Sequence, residues 1–592
     1  MKKIFAFGVA ALLLASCNMD FVPSDTMTSD QIRENPAAAL YTTNGIYSMF
    51  KDALAYSGES PEYPNGRNQY LRHYYQLTEL RSDNVTISGV TSDPFINPYD
   101  YREDPEEENI YYTWWIGYKI IYSANSNIAV LTPGESDESD HLLGENYFLR
   151  ALGHFHMVTL FAMPYVYWKD HPEAMGVVEH RGMDSYSGDP VRANIGDIYT
   201  HIVEDLQTAI TYLEGNNVAS RKGKAFVQAD AAKALLARVY LYMEMNQECL
   251  DVCTDLMAHA PADVIGGYDF KAFPTKTYDM DETIFCIKPN ITDWFYSEHP
   301  QSAIGSMYYS DTDFNQFDGD NGWGEHYWSE ELIDLFQRYP QDKRFAAYFI
   351  QEPPAEENVG KLMVTFPIKT KSSNAYCSSG IVHGLTAQTD GSVKFGYKGR
   401  TYTAVPTLVN GYTQYLVEDP NFVSGNDNSS VQKRVYVRND GGVRTNGGQF
   451  AIYYNTKFNG MEGRSNLTAP ALLRWGEVIL NKAEAEAKLH LDAEALADVD
   501  IIRSRAGLPA EAMFSSDMHG YTSVLDVVLD ERRMEFCFEG LRYFDVFRNR
   551  RKMDRRFVGF HAFGDIDWTD PRLALLIPLD EINASKIPQN PR

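Results

Sequence analysis

The chain has 592 residues, a formal net charge of −28 and 44% apolar residues, and it contains 39 Tyr, 31 Phe and 8 Trp. Nucleic acids and other polyanions are excluded as favoured ligands, because phosphate recognition needs clustered Lys and Arg side chains. Tyrosine combines a flat stacking face with a hydroxyl group, so this composition suits both helix contacts and wet recognition surfaces.

The N-terminal residues have the pattern of a secretory signal. Lys2 and Lys3 precede an apolar run over 4–15 that is too short to span a bilayer, and the sequence LASC ends at Cys17, where cleavage would fall. This resembles a bacterial lipobox, in which the cysteine is lipid-modified and becomes the first mature residue. We therefore expect a signal peptide over 1–16, a polar tether over 17–35 and a membrane anchor on Cys17.

Apolar residues recur at helical spacing over 37–54, 116–131, 145–161, 195–213 and 228–243. The last of these segments is rich in alanine, which permits close packing of helices, as in tetratricopeptide-like hairpins. Helical patterns return at 469–489 and 493–505, and the second ends at Gly507 and Pro509, a common stop signal. The sequence predicts one domain over 36–592, with a helical scaffold formed by 36–260 and 465–592.

Residues 261–464 differ from the scaffold in composition and have few helical patterns. They are rich in Gly, Asn, Asp, Thr and Tyr, and only 329–339 has a helical pattern. Segments 391–402 and 431–437 alternate like strands of β-hairpins. Long irregular connections in a compact domain are usually functional, so this loop-rich lobe is where we expect ligand binding.

Two cysteines one helical turn apart, Cys249 and Cys253, have a spacing compatible with metal binding. No His or Cys follows at a spacing typical of zinc sites, so we expect both to be buried as small apolar side chains.

The segment 522–549 combines a helical apolar period with a dense row of charges. Ser523 and Asp526 resemble a capping box at its start. A helix that continued through Gly540 would align five charged residues on one face: Arg532, Glu535, Glu539, Arg542 and Asp545. Such carboxylates could serve acid and base catalysis, or they could form an ion-pair network that docks the helix. We favour the network, because each acid has an arginine within reach and no histidine or nucleophile is interleaved.

Several motifs occur together in a specific order. Glu79-x-x-Ser82-Asp83 and Phe148-Leu-Arg-Ala151 lie in the first half, and four segments lie near the C-terminus: LLRWGEVILNKAEAEAKL, IIRSRAGLP, LDERRMEFCFEGLRYFDVFRN and LIPLDEINASKIPQNP. With the lipobox cysteine followed by Asp20–Phe21, the chain resembles the SusD/RagB family of outer-membrane lipoproteins of Bacteroidota.

The resemblance implies a mainly α fold, in which tetratricopeptide-like helix pairs support a loop-rich lobe with a few short β-hairpins. It also implies capture of an oligosaccharide at the cell surface and its delivery to a SusC-like TonB-dependent transporter. The family has no catalytic centre, so neither enzyme activity nor a cofactor is expected.

A site for neutral sugars needs flat aromatic rings beside amide, carboxylate or guanidinium groups. Such rings are densest in the lobe, where Trp323 is the best candidate because glycines flank it. A second patch follows the Ser-Asp motif, where some family members place binding aromatics. The candidate ligand residues are Trp294, Tyr296, Tyr308, Tyr309, Trp323 and Trp328 in the lobe, and Asn97, Tyr99 and Tyr101 in the second patch. Each ring could instead belong to the core.

Three alternatives remain open. The ligand could be an oligopeptide, as in the RagB branch of the family. A surface glycosidase could use Glu325 and Glu330 as its carboxylate pair. A calcium ion could bind the carboxylates of Asp311, Asp313, Asp318 and Asp320, although no EF-hand spacing closes with a glutamate; no metal is therefore expected.

Overall fold

The computed structural model describes residues 36–56, 69–87, 96–187, 189–290, 293, 303–308, 324–369, 376–409, 412–422, 433–445, 449–464, 466–559, 561 and 564–592. The helices are α1 Pro36–Lys51, α2 Tyr70–Glu79, α3 Ile96–Tyr99, α4 Glu108–Val130, α5 Asp137–Phe161, α6 Tyr165–Asp170, α7 Ile195–Leu213, α8 Ala229–Tyr242, α9 Asn246–Met257, α10 Ala262–Gly266, α11 Phe273–Lys276, α12 Ile304–Tyr308, α13 Glu330–Gln337, α14 Lys343–Tyr348, α15 Trp475–Lys488, α16 Asp492–Arg505, α17 Val524–Glu535, α18 Arg542–Arg548 and α19 Leu579–Ser585.

The strands are β1 Val85–Ile87, β2 Met175–Val178, β3 Arg192–Asn194, β4 Thr283–Cys286, β5 His326–Trp328, β6 Phe349–Gln351, β7 Leu362–Lys369, β8 Tyr376–Leu385, β9 Val393–Tyr397, β10 Arg400–Val409, β11 Tyr412–Val417, β12 Lys433–Asn439, β13 Val443–Arg444, β14 Phe450–Ala451, β15 Tyr453–Asn455, β16 Ala471–Arg474, β17 Met553–Asp554 and β18 Asp565–Ile566.

The mainly α scaffold is confirmed, and each helix predicted from apolar spacing is present: α7 has the predicted ends, and the others have shifted ends. Helix α5 begins where the Ser136 side chain accepts a hydrogen bond from the Ser139 N–H at 3.1 Å, and acidic residues fill its first turn. The helix predicted over 469–489 extends beyond the observed helix α15, because the first part of this segment is strand β16, which pairs with β4. The single domain and its boundaries remain predictions.

Helices α4 and α5 approach each other closely through small residues. A Cβ atom on Gly153 would lie 2.8 Å from Ile121, and one on Gly117 would collide with Met157. Both glycines therefore allow the backbone of one helix to pack closely against side chains of the other. This is the close packing expected of helix pairs.

The lobe contains more β-structure than the few short hairpins predicted. Six antiparallel strands form one sheet in the order β8-β7-β12-β11-β10-β9, and the predicted hairpin at 391–402 is its β9–β10 edge. Phe366, Phe395 and Phe422 lie in a separate small core against this sheet. Pro367 in β7 and Pro406 in β10 obscured these strands in the sequence, because proline is uncommon inside sheets.

The charge-rich segment does not form one helix through Gly540. Helix α17 starts after Ser523, whose side chain accepts from the Asp526 N–H at 3.4 Å, and it ends at Glu535. Phe538 and Gly540 then have φ angles of 67° and 74° before α18 begins. Their N–H groups donate to the buried carboxylate of Glu79, at 3.2 and 2.8 Å. Burial raises the pKa of Glu79 to about 7.

The ion-pair interpretation of this segment is confirmed. Glu535 lies within 2.8 Å of Arg344, 2.6 Å of Arg474 and 2.7 Å of Arg505, so α14, β16 and α16 are all tied to α17. Burial alone would raise the pKa of Glu535, but these three guanidinium groups hold it well below its ordinary value. The charges therefore join four elements inside the scaffold.

A second group of ion pairs holds the Ser-Asp motif against the same segment. Asp83 pairs with Arg542 at 2.8 Å and with Arg533 at 3.4 Å. The sequence motifs at 79–83 and 529–549 are thus in direct contact in the structure.

Cys249 and Cys253 are fully buried and not disulfide-bonded, as predicted, and the Cys249 thiol donates to the Asn481 carbonyl at 3.8 Å. None of the helices within the described ranges is both long and apolar enough to cross a bilayer.

Candidate functional site

Several predicted site residues lie outside the described residues. These are Trp294, Tyr296, Tyr309 and Trp323, the lipidation residue Cys17, and the four aspartates considered for calcium.

Two predicted ligand contacts in the lobe are core residues instead. The Trp328 side chain is 0% exposed and meets Phe336, Phe345, Phe349 and Phe538 edge-on, with ring centroids 5.1–5.7 Å apart. The Tyr308 ring is 1% exposed and stacks on Phe458. Because neither ring has a free face, the prediction that they contact ligand is wrong.

The second predicted patch is also largely internal. Tyr99 is 0% exposed and its hydroxyl lies 3.0 Å from His561 Nε2, while Tyr101 is 2% exposed and donates to the Arg81 carbonyl. Burial raises the pKa of Tyr101 to about 12. Both rings are therefore structural, and the prediction of ligand contact is wrong for them. Asn97 is half-buried and its amide donates to Glu107.

Strand pairing brings two parts of the chain to one edge of the scaffold. β1 pairs antiparallel with β5, so that Ile87 lies opposite His326. The N–H groups of Gly324 and Glu325 donate to the carbonyls of Ser306 and Met307, at 3.0 and 3.1 Å. Ile87, the last described residue before 88–95, therefore lies at the same edge as the described residues on both sides of 309–323. We call this the β1–β5 edge.

Charged and aromatic groups lie beside the β1–β5 edge. Glu325 pairs with Arg444 at 3.1 Å, and the Arg444 guanidinium lies over the Tyr327 ring, 5.8 Å from its centroid. The Tyr327 hydroxyl is buried and has no hydrogen-bond partner among the described residues. The sequence does not point to Arg444 as part of this group, because Arg444 lies far along the chain from Glu325.

The two acids considered for glycoside hydrolysis have separate structural partners. Glu330 accepts from Thr365 Oγ1 at 2.6 Å and from Arg438 Nε at 2.9 Å, and it is 3% exposed. Burial raises its pKa, while Arg438 and Thr365 oppose that shift. Glu330 therefore serves to join α13 to the sheet. Nowhere in the described ranges do three His, Cys, Asp or Glu side chains group as metal ligands.

A groove of about 460 Å³ lies where α17 and α18 face the β-sheet. We call it the α17 groove. Its lining combines tyrosine, arginine, lysine and aspartate side chains with the apolar side chains of Leu529 and Val546. The lining residues are Arg338, Tyr412, Gly520, Tyr521, Thr522, Asp526, Leu529, Asp530, Arg542, Val546, Arg551 and Lys552.

Sequence reasoning did not single out the α17 groove. One signal was present, since the Asn410–Gly411 dipeptide before Tyr412 is typical of a hairpin and places Tyr412 at the start of a strand. Its approach to Arg338 depends on tertiary packing.

Two family models match the chain. The model described as the SusD family matches residues 278–574, just over half of the chain, and one described as "Starch-binding associating with outer membrane" matches residues 58–241. SusD-like protein P2 of Formosa agariphila is 22% identical over 491 residues, which cover 81% of this chain and 79% of that protein.

Solved structures share the fold. A SusD superfamily protein from Bacteroides thetaiotaomicron superposes with a TM-score of 0.63 at 21% identity, covering 96% of this chain and all of that one. A structure described as a laminarin-binding SusD-like protein has a TM-score of 0.54 at 19% identity, covering 94% of this chain and 99% of that one. The matched models, the helical scaffold and the joined motifs agree, and the chain belongs to the SusD family.

Proposed function

We propose that this chain is a lipid-anchored, surface-exposed protein of the outer membrane that binds an oligosaccharide and delivers it to a SusC-like TonB-dependent transporter. The observation that carries the proposal is the SusD-family match over residues 278–574. The description of the second family model, which names starch binding and the outer membrane, supports the ligand class and the location. The laminarin-binding relative supports the same ligand class.

The ligand site proposed here is centred on Trp323, with Trp294, Tyr296, Tyr309 and Asn97 as further candidates. Two observations support this place. Ile87, the last described residue before 88–95, lies opposite His326, and Gly324, the first described residue after 309–323, donates to the Ser306 carbonyl beside the same edge. The rings of Trp328 and Tyr99 are buried, so the β1–β5 edge is a rigid base, and a site built on a rigid base needs little ordering when a ligand binds.

The protein is proposed to bind without turnover. The Glu325 and Glu330 carboxylates are each held by an arginine, which suits a structural role better than proton transfer.

A Trp323→Ala variant tests the proposed site. We expect its affinity for the bound oligosaccharide to fall about tenfold or more, which corresponds to about 1.4 kcal/mol, with little change in melting temperature. Affinity electrophoresis in gels containing laminarin or other neutral glycans, followed by calorimetry, measures the loss. Trp568→Ala, at a partly exposed tryptophan near the C-terminus, is the matched control.

Unchanged affinity beside a large drop in melting temperature would place Trp323 in the core instead. Calorimetry with peptides tests the RagB-like alternative, since peptide binding without glycan binding would replace the proposed ligand class. Release of reducing sugar during long incubation would show a glycosidase and refute binding without turnover.

A further inference from the structure

We propose that the α17 groove is a second saccharide-binding site, separate from the site proposed around Trp323, and that it takes a neutral sugar unit of an oligosaccharide. Its volume of about 460 Å³ lies within the range of small-molecule pockets, about 300–1,000 Å³. The inference rests on the groove's own side chains and does not require the Trp323 site.

One wall of the groove is flat and rigid. The Arg338 guanidinium stacks on the Tyr412 ring, 3.6 Å from its centroid, and Arg338 Nη1 donates to the Tyr521 hydroxyl at 2.9 Å. The Tyr521 hydroxyl in turn donates to Asp530. These contacts fix two tyrosines and one arginine before any ligand arrives, so binding needs little ordering of side chains.

Two apolar side chains also line the groove. Leu529 and Val546 are among its lining residues and are 6% and 3% exposed. A sugar ring has an apolar face bordered by hydroxyl groups, so a lining that combines polar and apolar side chains matches its chemistry.

Two carboxylates in the groove each keep one oxygen that accepts no hydrogen bond from the described residues. Asp530 uses Oδ2 for Tyr521 and Arg338, and Asp526 uses Oδ1 for Arg551 at 2.7 Å. The second carboxylate oxygen of each has no hydrogen bond among the described residues. A carboxylate oxygen held in a fixed position can accept a hydrogen bond from a sugar hydroxyl.

The charges in and beside the groove are balanced. Its four cations each pair with a carboxylate: Arg338 with Asp530, Arg542 with Asp83, Arg551 with Asp526, and Lys552 with Asp565. The groove therefore offers no uncompensated charge to an ionic ligand. A neutral polyhydroxyl ligand needs no such charge, which is why we assign a neutral sugar rather than an acidic one.

The test compares Tyr412→Ala with Tyr412→Phe in the full mature chain. Binding is measured by calorimetry and by saturation-transfer NMR against short neutral oligosaccharides of glucose, mannose and xylose. We expect Tyr412→Ala to weaken binding of at least one of these oligosaccharides about tenfold at one class of site. Tyr412→Phe, which keeps the ring beneath Arg338, should retain binding within about threefold.

Asp530→Asn removes the charged acceptor and should also weaken that site. Tyr41→Ala is the control, because Tyr41 is 67% exposed and lies on α1, outside the groove. Circular dichroism and melting temperature confirm that each variant folds.

The outcomes separate this site from the one around Trp323. Loss of binding in Trp323→Ala with full binding in Tyr412→Ala and Asp530→Asn would overturn the groove proposal alone. The reverse pattern would support the groove and overturn the Trp323 site. Binding of a tryptic peptide digest, or of uronate oligomers only, through Tyr412 would overturn the assigned ligand class. Absence of binding to any of the neutral oligosaccharides would overturn both proposals.

Discussion

His156 illustrates how burial of a single residue sets a pH dependence. The ring is 2% exposed, stacks on Tyr74 with centroids 4.2 Å apart, and its Nδ1 lies 3.1 Å from the Tyr70 hydroxyl. Burial, with a further contribution from Arg238, lowers its pKa from 6.5 to about 3. The unfolded chain therefore binds a proton at higher pH than the folded chain. The stability contributed by neutral His156 is present above pH 6.5 and is lost as pH falls toward about 3.

Between pH 6.5 and pH 5, we expect the wild type to lose about 1.6 kcal/mol of unfolding free energy relative to His156→Phe. Urea unfolding at the two pH values measures it. His171→Phe, at a half-exposed histidine, controls for removing a surface ring. An equal difference at both pH values would show that His156 does not titrate in this way.

Residue identity alone was a poor guide to which aromatic rings face solvent. All three residues of β5 are buried, so the alternation that normally separates inner from outer rings is absent from this strand. The sequence around Trp328 therefore gives no sign that its ring is buried, although four phenylalanines surround it. The burial of Cys249 and Cys253 was easier to predict, because no His or Cys follows them at a spacing typical of a zinc site.

At the scale of elements, the helices were predictable and the break after α17 was not. Apolar period and the Ser523 cap are local signals and gave the start of the helix. The break depends on Glu79, which lies more than 450 positions away in sequence and binds the N–H groups of Phe538 and Gly540. A local pattern carries no information about such a partner.

Glu539 follows this break and tests the role of the ion-pair network. Its carboxylate is 9% exposed, lies 2.9 Å from Arg474 and also pairs with Lys457. Glu539→Ala leaves two buried cations without this partner, so we expect a loss of about 3–5 kcal/mol in the free energy of unfolding. Denaturant titration measures the loss, and calorimetry on the folded variant should give unchanged ligand affinity.

The matched change is Glu511→Ala, in an exposed turn of the same C-terminal region, which should alter stability by no more than about 0.5 kcal/mol. A Glu539→Ala protein that kept its stability but no longer bound ligand would instead give this segment a direct role in binding.

For the whole molecule, the family motifs predicted the fold class because they mark contacts of the scaffold. The residues of 79–83 and 529–549 bind each other through Glu79 and Asp83, so their order in the sequence reports a specific packing. The six-stranded sheet and the α17 groove carry no such motif. Both arise from strand pairing and from approach of the lobe to the scaffold, which the sequence specifies only through many weak contacts.

The proposed membrane attachment concerns the whole chain and rests on acyl chains on Cys17. In cells that express the full precursor, we expect Cys17→Ala to move the protein from the membrane fraction to the soluble fraction and to abolish labelling by a fatty-acid probe. Cys253→Ala, which changes a buried thiol, should leave both readouts as in the wild type. The released Cys17→Ala protein should bind oligosaccharide as tightly as the anchored form, because both proposed sugar sites lie in the body. Continued labelling of Cys17→Ala would show that another residue carries the lipid.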